Sequence, residues 1–138
     1  MATNGNKIES YFAKDLCLKI RDNGPGMSPQ LMKEVLTSFG YLHKLDNTNS
    51  QLNCAEHGIG LKINALRLGK TCLILSRKNN QVSVGLLSQK FLQDAGVSFI
   101  LAPLVCYQVN IDGAFLPLTP YADKILSLIV SYTGTLFK

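Results

Sequence analysis

Two glycine-rich turns, Asp22-Asn23-Gly24-Pro25-Gly26-Met27 and His57-Gly58-Ile59-Gly60-Leu61-Lys62, stand where the hydrophobic pattern changes its period. Ahead of the first, Leu16, Leu18 and Ile20 alternate with Cys17, Lys19 and Arg21. A period of two sends one face of a strand into a core, and here it leaves Asp22 at the strand's end. Beyond the turn, Ser28 supplies an N-cap and Pro29 the first helical position, and Leu31, Met32, Val35, Leu36 and Phe39 recur at helical spacing until Gly40. The second turn opens a short helix marked by Leu61, Ala65, Leu66 and Leu68 and closed by Gly69. Two turn-to-helix junctions in this order require helices packed on a sheet.

The rest of the chain supplies that sheet. Thr71 to Arg77 and Gln81 to Ser88 read as strands joined by the turn Lys78-Asn79-Asn80-Gln81, where Asn accepts positive φ, so an antiparallel hairpin is expected. A third strand is expected over Val97 to Leu104 after a short irregular link, a further turn at Asp112-Gly113, and a helix over Tyr121 to Tyr132 through Ile125, Leu126, Leu128 and Ile129. Residues 1–14 read as a flexible lead-in with little periodicity, and the domain proper is placed at 15–138. The fold class is α+β, a two-layer sandwich with helices on one face of a mixed, mostly antiparallel sheet. Between the two glycine turns runs a polar stretch of about fifteen residues, Tyr41 to Ala55, and a loop that long in a compact domain is a candidate lid.

Composition narrows the classes. With 46% hydrophobic and 17% charged residues the 138-residue chain has material for a core, and its net charge of +5 suits an acidic partner. Cys17, Cys54, Cys72 and Cys106 show no Cys-x-x-Cys spacing, so free thiols in a reducing compartment are expected and neither zinc nor a disulfide framework. The polar start and the lack of a ~20-residue apolar run point to a soluble intracellular protein with no membrane partner.

Glycine lets the backbone adopt positive φ and approach a flat base or a phosphate, which Gly24, Gly26, Gly58 and Gly60 would permit. The second turn opens a helix whose first amides and positive dipole end favour an anion, with Lys62 close by. Asp22, held at a strand end, suits an exocyclic amine such as that of adenine. The pair therefore reads as the phosphate side and the base side of a nucleotide pocket.

The combination of Asp22-Asn23-Gly24-Pro25-Gly26-Met27, Ser38-Phe39-Gly40 with Lys44, Gly58-Ile59-Gly60-Leu61-Lys62, Leu66-Arg67-Leu68-Gly69-Lys70 and Val82-Ser83-Val84-Gly85-Leu86-Leu87-Ser88-Gln89 resembles the ATPase domain of MORC proteins. These are members of the GHKL superfamily, with its histidine kinase-like, Bergerat-type ATP-binding fold, and the resemblance runs from about residue 15 to 138. It implies that Asp22 contacts the adenine amine, that Gly24 and Gly26 shape the base pocket and Met27 lines it, and that Lys44, Gly58, Gly60, Leu61 and Lys62 lie near the phosphates. It also implies ATP with Mg2+, a lid at about 41–57, dimerisation with itself or a MORC relative, and a nuclear role in chromatin compaction and gene silencing.

The match departs from the family pattern in places. The family's first motif is a helix carrying a catalytic Glu and a magnesium-binding Asn; only 21 residues precede Asp22, and Glu9 is followed four residues later by Ala13, so no catalytic residue and no metal ligand is assigned. Ala55 and His57 stand where the family has glycine and an aromatic residue. The chain is thus expected to be truncated at both ends, binding ATP with hydrolysis lost or dependent on missing segments. The alternative is a nucleotide-free interaction module, or truncated paralogue, that pairs with a full-length relative. Lys33, Lys44, Lys62, Arg67, Lys70, Arg77 and Lys78 provide for weak DNA or chromatin contact.

Overall fold

A computed structural model of the chain describes residues 7–13, 17–37 and 59–134. Its elements are β1 (Ile8–Ala13), β2 (Cys17–Asp22), α1 (Pro29–Thr37), α2 (Ile59–Leu68), β3 (Thr71–Lys78), β4 (Gln81–Ser88), α3 (Gln89–Ala95), β5 (Leu104–Val109), β6 (Phe115–Pro117) and α4 (Ala122–Thr133). Every strand pairing among the described residues is antiparallel, giving a four-stranded sheet in the order β3-β4-β5-β6 and a separate β1-β2 pair. The chain is an α+β protein, as its patterning indicates.

Local chemistry accounts for most element boundaries. Ser28 caps α1 as expected, its hydroxyl accepting from the Leu31 amide at 3.2 Å, and Met32 and Leu36 on the inner face of that helix are fully buried. The β3-β4 turn places Asn79 at φ 54, and pairing runs from Lys78 opposite Gln81 to Thr71 opposite Ser88. Gly113, at φ 78, turns the chain between β5 and β6, and its amide donates to the Asn110 carbonyl.

Three expectations are corrected. The strand placed at Val97 to Leu104 lies instead at Leu104–Val109. Pro103 has no N–H to give a ladder, so the apolar run before it stays irregular and pairing starts just after it. The link ahead of it is not irregular but holds α3, capped by the Ser88 hydroxyl on the Phe91 amide and ended by Gly96 in the left-handed conformation. Finally, the stretch assigned to a lead-in contains β1, which pairs with β2 from Ile8 opposite Asp22 to Ala13 opposite Cys17.

The sheet has apolar side chains on both faces because β4 is buried from Ser83 to Ser88. On one face Met32 and Leu36 of α1 pack with Leu87, joined by Met27, Leu66 of α2, Cys72 and Ile74. On the other, Ala122 and Ile129 of α4 pack with Val84, Leu86 and Val105. Alternate residues of a strand point to opposite faces, so α1 and α2 form the expected helical layer and α4 adds a layer behind the sheet. Gly85 is the point of closest approach on the α1 side: a β-carbon there would fall 2.5 Å from Leu36 Cδ1 and 3.3 Å from Met32 Cε. Tyr132 of α4 donates its hydroxyl to Asp94 Oδ2 at 2.9 Å and meets the Phe91 ring edge-on, tying α3 to α4.

Candidate functional site

The first glycine turn is fixed at its tail and open at its head. Asp22 ends β2 exposed to solvent, and its Oδ1 accepts from the Gly24 amide at 2.8 Å, a side-chain-to-backbone turn of the Asx kind. Gly26 adopts φ +70 and lies so close to β3 that a β-carbon would fall 1.9 Å from the Arg77 carbonyl oxygen. Any other residue here would collide with backbone and adopt a strained φ. The Met27 amide then donates to Ser76 Oγ at 2.7 Å, and the Met27 side chain joins the cluster around Met32, Leu36 and Leu87.

The second turn arrives at the same face through α2, since Leu66 packs in the cluster that holds Met27. That helix starts at Ile59, ahead of the Leu61 start read from the sequence. Gly60 therefore has helical backbone and not positive φ, and neither does Gly24 lie in the positive region; of the described turn glycines Gly26 alone does. The reason at Gly60 is that the helix has already begun. A β-carbon on Gly60 would meet no atom within 4 Å, so nothing within the described residues demands glycine there. Amides in the first turn of α2 lack intrahelical acceptors and carry the positive end of the dipole. Leu61 is 38% exposed and Lys62 only 2%. Burial holds the Lys62 ammonium below the ordinary lysine pKa. Gly60 and Leu66 are separated by about 9 Å along the helix axis, at ~1.5 Å per residue.

Lys44, Gly58 and the expected lid at about 41–57, with Ala55 and His57, lie outside the described residues. Glu9 stands on β1 opposite Arg21, exposed, in an ion pair with Lys7. Among the described residues no group of three His, Cys, Asp or Glu side chains could hold a metal ion, and no helix is long and apolar enough to cross a membrane. Cys17, Cys72 and Cys106 are free thiols, and burial raises the Cys72 pKa. A groove of about 420 Å³ runs beside α1 over β5, lined by Pro29, Lys33, Leu36, Leu104, Cys106 and Leu118 among others. None of the described residues assigned to the nucleotide pocket from the sequence lines it.

The sequence alone does not point to Ser76, to the Arg77 carbonyl or to the packing of Leu66 and Met27 against one cluster. A polar Ser inside the apolar strand Thr71–Lys78 was the available signal for the first.

The sequence pattern of the family described as "Histidine kinase-, DNA gyrase B-, and HSP90-like ATPase" matches residues 5–109. The chain belongs to this ATPase family. It is 32% identical over 99 residues to MORC family CW-type zinc finger protein 3 of Mus musculus, which covers 72% of this chain and 10% of that protein. It is 35% identical over 107 residues to Protein MICRORCHIDIA 7 of Arabidopsis thaliana, 73% of this chain and 15% of the relative. Over 122 residues it is 33% identical to Protein MICRORCHIDIA 4 of the same plant, 84% of this chain and 15% of that protein. The resemblance to MORC proteins thus extends over most of this ATPase-family chain, which spans a small part of those relatives' length.

Proposed function

We propose that this GHKL-type chain binds an adenine nucleotide across the face shared by the Asp22–Met27 turn and α2. The single observation that carries the reading is the convergence of Met27 and Leu66 on one cluster, which packs the tail of the Asp22–Met27 turn and α2 against the same face of the sheet. The residues fit such a ligand. Asp22 keeps an exposed carboxylate that can accept from the adenine amine, Gly24 and Gly26 keep the turn thin, and Met27 offers an apolar wall. At the other end, the α2 amides beside Gly60 and Leu61 suit phosphate oxygens, and no atom of the described residues would lie within 4 Å of a β-carbon on Gly60. The resemblance alone adds Lys44, Gly58 and Lys62 to the proposed phosphate side. Magnesium would arrive with the phosphates, and no step is assigned to it.

Binding, and not hydrolysis, is the role assigned to these residues, because none of them is a base placed against an attacking water. A nuclear setting, chromatin compaction and pairing with a second MORC-like chain belong to the same proposal through the resemblance alone.

Calorimetric titration with ATP and ADP in the presence of Mg2+ tests the reading. Binding that is lost in Asp22→Ala is the expected result. Absence of binding at millimolar nucleotide, or equal binding by Asp22→Ala, would refute it.

A further inference from the structure

The β1-β2 pair lies outside the four-stranded sheet, so the orientation of Asp22 relative to α2 depends on how the end of β2 is tied down. Two contacts to β3 do this, both long-range in sequence: the Met27 amide on Ser76 Oγ, and Gly26 seated against the Arg77 carbonyl. The glycine contact is steric and allows close approach, but it sets no direction. The hydrogen bond does, because a 2.7 Å N–H···O contact is short and direction-dependent.

Resting on the nucleotide reading above, we infer that Ser76 is a positioning residue for purine selection: its hydroxyl latches the Met27 amide, and that latch holds the Asp22 carboxylate where an adenine amine can reach it. Ser76 need not touch the ligand. Adenine presents an N–H donor to Asp22, whereas guanine presents a carbonyl acceptor at the equivalent ring position, so a carboxylate fixed in place favours the first and repels the second. If the turn swings, the favourable bond weakens while the unfavourable one has little left to lose. Loss of the latch should therefore act on ATP far more than on GTP.

The test replaces Ser76 by Ala, by Val and by Thr, and titrates each chain and the wild type with ATP and with GTP. Val and Thr have the same shape and differ by the hydroxyl, and both suit a strand, so the pair remains informative even if Ser76→Ala unfolds. Expected are an approximately tenfold loss of ATP affinity in the Ala and Val variants, equivalent to about 1.4 kcal/mol, little change for GTP, and recovery in Ser76→Thr. A general loosening of the fold would instead lower both affinities together, and that parallel fall would overturn the inference. So would unchanged ATP affinity in Ser76→Val, or failure of Thr to restore what Val loses. A wild-type chain that binds neither nucleotide would overturn the nucleotide reading and this inference with it, whereas wild-type binding with an indifferent Ser76→Val overturns this inference alone.

Discussion

Replacing Gly60 by alanine should strengthen the fold and weaken nucleotide binding at once. Gly60 is the second residue of α2, its φ lies outside the positive region, and a β-carbon on it meets no atom of the described residues within 4 Å. Alanine therefore introduces no clash and gains helix propensity, worth about 0.5–1 kcal/mol in a helix interior and less in a first turn. Taking ~0.5 kcal/mol, the Tm of a domain this size should rise by roughly 1–4 °C. In the complex the sign reverses. The space beside Gly60 is where phosphate oxygens are proposed to approach the α2 amides, and a methyl group there would hold them off. A tenfold loss of ATP affinity corresponds to about 1.4 kcal/mol, and the thermal shift that saturating ATP produces should shrink with it. Thermal unfolding without ligand, followed by calorimetric titration, reads both quantities on one preparation. A clear fall in Tm would refute the open geometry at Gly60, and a gain in stability with unchanged ATP affinity would remove Gly60 from the phosphate site.

Gly85→Ala should do the opposite to the fold, since its new methyl group would fall 2.5 Å from Leu36 Cδ1 inside a filled core; overpacking of this kind costs about 1–3 kcal/mol, read as a lower urea midpoint, and unchanged stability would mean that α1 does not rest there. Lys62 makes stability depend on pH. Its folded pKa is lowered by burial, so between that value and the ordinary ~10.4 the unfolded chain binds more protons and stability rises with pH. Lys62→Met should flatten this rise in Tm as the pH climbs toward the ordinary lysine value, with the opposing effect of the raised Cys72 pKa present in both chains and cancelling in the comparison; identical pH profiles for the two chains would count against a titrating Lys62.

What was legible in the sequence was what neighbours decide. Ser28 and Pro29 fixed the start of α1, Asn79-Asn80 fixed the β3-β4 turn, and the 3.6-residue pattern from Ile125 marked α4 because in each case the partners lie within a few residues. Where long-range packing or a competing local signal decides an element, the local pattern does not show it. β1 is hard to read because Ile8 is largely exposed, so the strand shows no clean apolar alternation. The apolar run ahead of Pro103 imitates a strand that begins only after it, and α3 is too short for its periodicity to stand out. The second helical layer follows from Val84, Leu86 and Leu87 being buried on opposite faces of one strand, a pattern that marks a two-sided strand without saying what covers it. At the site, Asp22 and the glycines are visible as residues of a turn, whereas the hold of Ser76 on Met27 links residues that only the folded sheet brings together.

The buried strand β4 has a consequence for how the molecule opens. Lifting α1 uncovers Leu87, and lifting α4 uncovers Val84 and Leu86, yet these are consecutive stretches of the same backbone. Neither layer can come away and leave the other's support intact. The two helical layers therefore belong to a single cooperative unit, and free energy supplied by a ligand on the α1-α2 face slows solvent entry behind the sheet as much as in front of it.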